Sequence, residues 1–185
     1  MNLISLNLFL TYIIMSLTTL LSPEPSTSKI YPVPPANENS LFYIQRSKNT
    51  NAIVYEVNRK VDGLIDENDP VKIYWISYSS DSSISELTAI QRKYAYGLTS
   101  RPYNGLKNSF VLQFSANKKR NIFLLPTPSE KHYNAFININ GKLAELKKVF
   151  IATSGGTFWF PTIDYVELTG KDPSSQQVVV ERFHP

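Results

Sequence analysis

The chain has 185 residues, a length that suits one ordinary domain, and 42% of them are hydrophobic, 12% aromatic and 18% charged. It contains no cysteine, which excludes disulfides, thiol catalysis and cysteine-based zinc sites, and its two histidines are too few for a histidine-rich metal centre. The net charge of +4 is spread along the chain, so the composition indicates a solvated surface and no nucleic-acid partner.

The first 22 residues carry no charged side chain, and residues 3–21 are long and apolar enough to cross a hydrocarbon core as a helix. Their position and length fit a secretory signal peptide. No basic residue precedes the run and no Ala-x-Ala cleavage site follows it, so an uncleaved signal anchor is the alternative. We expect an exported protein of the periplasm or cell envelope, in contact with a membrane only through residues 1–22 if they are retained.

Residues 23–39 form a linker rich in proline and serine, a composition that favours extended, solvated chain. Apolar patterning begins abruptly at Leu41, so the sequence predicts a single β-rich domain over residues 40–185. Within it, nine stretches have the alternation or the β-branched and aromatic content of strands: 41–46, 52–58, 71–78, 110–114, 121–125, 133–139, 143–151, 157–168 and 177–183. Asn140-Gly141 joins two of these runs and predicts a type I′ hairpin, because both residue types tolerate positive φ.

One segment has helical periodicity. Ser83 and Glu86 have the spacing of a capping box, and Gly97 is a natural stop. Apolar residues recur between these limits at Ile84, Leu87, Ile90, Tyr94 and Leu98. We expect an amphipathic helix at about 84–96 that covers one face or end of the sheet. The predicted fold is mainly β, an antiparallel sandwich or barrel-like meander with this one helix.

A ligand site is predicted around the end of the first strand. Arg46 is suited to an anion, and Asn49 and Asn51 offer donors and acceptors, although asparagines at such positions also shape turns. We expect these three residues, together with Trp75 and Tyr96, to line an apolar pocket that carries a few polar groups.

Three other segments have both a functional and a structural interpretation. The carboxylates of residues 62–69 suggest a calcium loop, but their spacing does not fit an EF-hand and turn residues explain them. The basic residues 118–120 suit an anion or lipid contact, or protection of a strand edge. Residues 154–160 combine glycines with aromatic residues, which suits a carbohydrate or lipid surface or a bend that lets large side chains reach the core.

Catalytic motifs are absent from the sequence. A serine triad requires His132 or His184 as its base, and no G-x-S-x-G motif accompanies them. We therefore expect no cofactor and no metal, and non-catalytic binding of a small or lipid-like ligand or of an envelope protein. One alternative is a carboxylate-dependent hydrolase, and the other is a structural component of the envelope. The hydrolase requires two acidic residues to converge, from Asp62, Asp66, Asp69, Asp164 and Glu167.

Several blocks of sequence resemble a known family. Residues 42–51 (Phe-Tyr-Ile-Gln-Arg-Ser-Lys-Asn-Thr-Asn), 54–56 (Val-Tyr-Glu) and 69–76 (Asp-Pro-Val-Lys-Ile-Tyr-Trp-Ile) resemble the opening of a bacterial family of domains of unknown function, frequent in Bacteroidetes. Residues 87–97 resemble its second block, and the resemblance covers nearly all of residues 40–185. It implies a short, exported, single-domain protein and no particular activity.

Overall fold

The computed structural model describes residues 30–78, 83–128, 131–156 and 161–185, and residues 31–185 form one compact unit. The predicted export segment, residues 1–22, and residues 157–160 of the glycine and aromatic candidate lie outside the described residues. Eleven strands are present: β1 (Ser40–Arg46), β2 (Ala52–Val57), β3 (Val71–Ser77), β4 (Ser83–Glu86), β5 (Leu98–Pro102), β6 (Phe110–Phe114), β7 (Asn117–Pro126), β8 (Tyr133–Ile139), β9 (Lys142–Gly156), β10 (Pro161–Lys171) and β11 (Val178–Phe183). Helical structure is confined to α1 (Ala89–Gln91) and a π-helical segment (Arg92–Tyr96) within these ranges.

All eleven strands belong to one sheet, which curls into a half-barrel, so the predicted mainly β class is confirmed. Four strands, β4-β3-β2-β1, form one arm, and β8-β7-β6-β5 form the other. Both arms join the long strand β9. β1 pairs with it at residues 148–151 and β8 at residues 142–145, while β10 occupies the opposite edge. The β1–β9 pairing is parallel, which differs from the expected antiparallel meander.

The curl brings the inner faces of the two arms into one hydrophobic core. Phe42 and Tyr55 of the first arm stack at 4.4 Å, and Phe114 of the second arm meets both rings edge-on at 6.0 and 5.9 Å. The period-two burial of β8, with Tyr133, Ala135, Ile137 and Ile139 inside, matches the alternation in its sequence. Burial of these aromatic and branched side chains is the main stabilising term, at roughly 1.5–3 kcal/mol for each large side chain.

The predicted Asn140-Gly141 hairpin is confirmed. Both residues have positive φ, 51° and 80°, and the flanking residues Ile139 and Lys142 are paired across β8 and β9. The Asn140 side chain also donates to the carbonyl of Val180 at 2.8 Å, so the turn is attached to β11.

The predicted helix is present but shorter than expected. Residues 83–86 are strand β4, because they pair with residues 74–77 of β3, and the helical structure begins at Ala89. The capping box is formed by Thr88 and Gln91, three residues apart as such a box requires. Gly97 ends the segment as predicted, but for a different reason. Its backbone is extended, and a Cβ there would lie 1.9 Å from the Arg92 carbonyl oxygen.

Part of the predicted linker lies against the sheet. The Tyr31 ring meets Phe150 edge-on at 5.2 Å, and the buried Gln45 donates through Nε2 to the Pro32 carbonyl at 2.5 Å. Pro34 is buried as well. Residues 31–39 therefore belong to the same compact unit as the strands.

Candidate functional site

Three of the five predicted site residues meet at one end of the first arm. Arg46 is the last residue of β1 and lies on the same face as Ile44, which is on the core side. Its guanidinium carbon is 5.0 Å from the centre of the Trp75 ring and 5.7 Å from that of Tyr96. The two rings meet edge-on at 5.5 Å. We call Arg46, Trp75 and Tyr96 the Arg46 cluster.

The Arg46 cluster attaches the π-helical segment to the sheet. Nη1 of Arg46 donates to the Tyr96 hydroxyl at 2.8 Å, and the hydroxyl of buried Tyr55 donates to the Tyr96 carbonyl at 2.7 Å. Trp75 donates through Nε1 to Gln91 at 3.3 Å. Burial raises the pKa of Tyr55 well above its usual value, so its hydroxyl remains a donor at neutral pH. These bonds replace the core contacts that an apolar helix face would have made.

Arg46 retains unused hydrogen-bonding capacity. A guanidinium has five N–H donors, and among the described residues one bond to a side chain is made, to Tyr96. Nε of Arg46 is buried and has no hydrogen-bond partner there. None of the ion pairs in the described part of the chain includes Arg46. A half-buried cation with open donors and aromatic walls is suited to a carboxylate or phosphate.

Asn49 and Asn51 serve the turn between β1 and β2. Oδ1 of Asn49 accepts from the Asn51 amide at 3.2 Å, an Asx turn, and Oδ1 of Asn51 accepts from the Tyr78 amide at 3.2 Å. The structure therefore brings together three of the five residues, and places the other two in the adjoining turn.

Further cations lie close in sequence to members of the Arg46 cluster. Lys48 follows Arg46 by two residues, and Arg92 and Lys93 begin the π-helical segment; all three are exposed. We call Arg46, Lys48, Arg92 and Lys93 the basic rim. No ion pair in the described ranges includes a member of the basic rim. From the sequence, Arg46 and Lys48 together suit an anion. Sequence reasoning did not connect Arg92 and Lys93 with them, because the π-helical segment meets the strands only in the fold.

The opposite end of the strands has a cleft of about 670 Å³ with mixed charge. Arg59, Lys60, Lys107 and Lys131 line it together with Glu38 and Glu67. Nε, Nη1 and Nη2 of Arg59 each donate one hydrogen bond there. They donate to Asn39 at 2.7 Å, to the Gly63 carbonyl at 2.9 Å and to the Lys131 carbonyl at 2.6 Å, and so hold three loops together. We call this the mixed cleft.

The other sequence candidates have structural roles. Asp62 and Asp66 accept from the backbone amides of Leu64 and Asn68, as turn residues do. Arg120, at the basic segment 118–120, forms an ion pair with Glu181 and lies 4.2 Å from the Phe183 ring.

In the part of the chain that the structure describes, no three acidic or histidine side chains are grouped to hold a metal ion. Within the same ranges no helix is long and apolar enough to cross a membrane.

Fold and site together define a curled β-sheet domain with a half-buried arginine between two aromatic rings, outside every ion pair of the described residues. The chain belongs to a family of domains of unknown function, DUF4833, whose model matches residues 42–182. No curated protein and no solved structure is similar enough to this chain to count as a match.

Proposed function

We propose that this is an exported domain of the bacterial cell envelope that binds an anionic ligand without catalysis, through Arg46. The observation that carries the proposal is the unpartnered Nε of a half-buried guanidinium that has no carboxylate beside it in the described residues. Leaving such a donor unmet costs about 1–3 kcal/mol. Because Nε is buried, a ligand oxygen reaches it only when neighbouring side chains shift, and the new hydrogen bond then recovers that energy.

The aromatic walls favour an anion over water at this position. Trp75 is buried and Tyr96 half-buried, so the guanidinium is partly desolvated and its attraction for a negative group is screened less than at an open surface. The remaining members of the basic rim add a positive field that draws anions to this end of the sheet. The ligand class is a small molecule or headgroup that presents a carboxylate or phosphate.

The hydrolase alternative has no comparable support. Asp62 and Asp66 are committed to turns in one loop, and Glu167 on β10 accepts from Arg182 at 2.8 Å. The Glu167 carboxylate is therefore engaged in an ion pair, whereas a hydrolase of this kind needs two carboxylates free to act on one bond.

The test uses Trp75 as the reporter, because it lies 5.0 Å from the Arg46 guanidinium carbon. The chain has two tryptophans, so W159F leaves Trp75 as the sole tryptophan, which is excited selectively at the red edge of its absorption. In this background we expect inorganic phosphate to change the emission saturably. R46Q should abolish the response, and R46K should weaken binding at least about tenfold because the planar fork is lost.

R182Q is the matched control. Arg182 also lies over an aromatic ring, 4.0 Å from that of Tyr165, but it is neutralised by Glu167. We expect R182Q to leave the phosphate response unchanged. A response that persists in R46Q, or a folded W159F protein with no saturable response, contradicts the proposed function. Urea unfolding of each variant establishes that the proteins compared are folded.

A further inference from the structure

Three apolar side chains of β4 and of the helical segment that follows it are exposed. Ile84, Ile90 and Tyr94 carry the periodicity that predicts an amphipathic helix, yet they are 69%, 52% and 64% exposed. The other apolar members, Leu87 and Leu98, are buried and half-buried. We call Ile84, Ile90 and Tyr94 the apolar stripe. Several exposed apolar side chains in one short stretch of chain mark a contact surface more often than a single exposed leucine does.

Cations outnumber carboxylates in the segment that carries the apolar stripe. Residues 83–96 carry two cations, Arg92 and Lys93, against one carboxylate, Glu86. Lys93 lies 5.0 Å from the Tyr94 ring, so charge and apolar surface are directly adjacent. The Arg46 cluster joins this segment through the bond from Arg46 to Tyr96. Exposed apolar side chains beside cations, on a segment that is bonded to Arg46, complement the interface of a bilayer that contains anionic lipid.

We infer that this end of the sheet docks on the surface of an anionic phospholipid bilayer. The apolar stripe enters the interface, Arg92 and Lys93 contact lipid phosphates, and Arg46 holds one headgroup phosphate. The inference rests on the proposed function, since the same arginine binds the anion, and it names phospholipid as the source of that anion. Lysines and arginines near an anionic surface each contribute to binding, and aromatic and aliphatic side chains fix the depth.

The opposite end of the strands supplies matched controls. Val61 is fully exposed and Leu64 is 64% exposed, and both lie at the mixed cleft or beside it. Lys60 and Lys107 line that cleft and are exposed. The two ends of β1 are about 20 Å apart, at roughly 3.3 Å per residue. Substitutions at the mixed cleft therefore remove equal charge or similar apolar surface from a part of the molecule that would not touch the bilayer.

The experiment places an environment-sensitive fluorophore at a single cysteine in the full chain, which has no native cysteine. I90C carries the probe at the apolar stripe, and V61C carries it at the control position. Each protein is titrated with vesicles of phosphatidylcholine containing about 30% phosphatidylglycerol, whose surface attracts basic side chains. The same titration is made with pure phosphatidylcholine. We expect a blue shift at position 90 with the anionic vesicles, and none at position 61 or with pure phosphatidylcholine.

Further substitutions in the labelled protein separate the contribution of charge from that of apolar contact. In the I90C protein, R92Q/K93Q should weaken vesicle binding roughly 30-fold, from the loss of two surface cations. I84S/Y94S should weaken it at least about tenfold through lost apolar contact. K60Q/K107Q and V61S/L64S should leave the vesicle affinity unchanged. The probe reports only its own surroundings, so a contribution from residues 1–29 does not produce a shift at position 90 alone.

Each outcome decides a different point. If phosphate changes Trp75 emission through Arg46 but the probe at position 90 never shifts, the proposed function stands and bilayer docking is overturned. Equal weakening by R92Q/K93Q and K60Q/K107Q would reduce the binding to general charge attraction, which also overturns it. An equal shift with pure phosphatidylcholine contradicts the requirement for anionic lipid and overturns the inference as stated. Loss of both the phosphate response and the vesicle response contradicts both proposals.

Discussion

The guanidinium of Arg46 makes a structural hydrogen bond and has a donor that is not used. It attaches the π-helical segment to the sheet through Tyr96, and its buried Nε has no hydrogen-bond partner among the described residues. Residue type predicts Arg46, Trp75 and Tyr96 as candidates, and Arg46 also stands at the end of a predicted strand. Which bonds they make was not predictable, because the contacts depend on a π-helical turn that local sequence does not encode.

Tyr55 gives a residue-scale prediction. Its hydroxyl is buried and donates to the Tyr96 carbonyl, so Y55F leaves that carbonyl without its partner. We expect a loss of about 2 kcal/mol in the free energy of unfolding, measured by urea denaturation. Hydrogen exchange should also accelerate in residues 89–96.

Y74F is the control for that substitution. The Tyr74 hydroxyl donates to Glu56 at 2.9 Å, and burial together with this carboxylate raises the pKa of Tyr74 to about 12. The side chain is half-buried, so the freed Glu56 can take up water, and the loss should stay below about 1 kcal/mol. Equal losses in Y55F and Y74F would contradict the anchoring role of Tyr55.

At the scale of elements, the strands were predictable and their order was not. Each of the nine predicted runs coincides with a strand over its described residues, because alternation and β-branched content are local properties. β4 and β5 were missed. β4 is fully exposed and β5 nearly so, and therefore neither carries an alternating burial pattern. The amphipathic pattern predicts a core-facing helix, whereas pairing with β3 takes up its first residues and leaves the apolar stripe in solvent.

Two glycines differ in backbone conformation and provide a paired test. One lies in the turn between β8 and β9, and the other lies in β9. Gly141 has a φ of 80°, and a Cβ added to it would have no other atom within 4 Å, so G141A meets conformational strain alone. We expect it to lower the unfolding free energy by about 1–2 kcal/mol. Gly155, in β9, has equal free space and no positive φ, so G155A should be neutral or stabilising by up to about 1 kcal/mol. Chemical denaturation of both proteins measures the difference, and a stabilised G141A would contradict the type I′ assignment.

At the scale of the whole molecule, the last strand is attached to the second arm by Glu181. Its carboxylate accepts from Arg120 of β7 and from the Asn140 amide at 2.9 Å. The hydrogen bonds from Arg120 lower the pKa of Glu181. Sequence could not pair these residues, because they lie 61 positions apart and on strands that are not neighbours in the sheet.

This attachment makes stability depend on acidity. A glutamate with a lowered pKa in the folded state contributes stability above its unfolded pKa of about 4.3, and this contribution is lost as pH falls through the folded value. We expect E181Q to cost about 1 kcal/mol at pH 7 and progressively less below about pH 4. Urea denaturation from neutral to acidic pH measures both curves. R120M should remove the same part of the pH dependence, and curves that remain parallel to wild type would contradict the pairing.

The parallel pairing of β1 with β9 also determines when β1 can pair during synthesis of the chain. Tyr43 is opposite Lys148, so four-fifths of the 185 residues must emerge before the inner edge of β1 finds its partner. Until then the β1–β2–β3 hairpins present an open strand edge, the kind of edge that pairs with wrong neighbours. A chain exported as the sequence predicts would cross its membrane with this edge exposed. We expect a chain truncated before residue 148 to give less folded protein than the full chain, because this edge of β1 then stays unpaired.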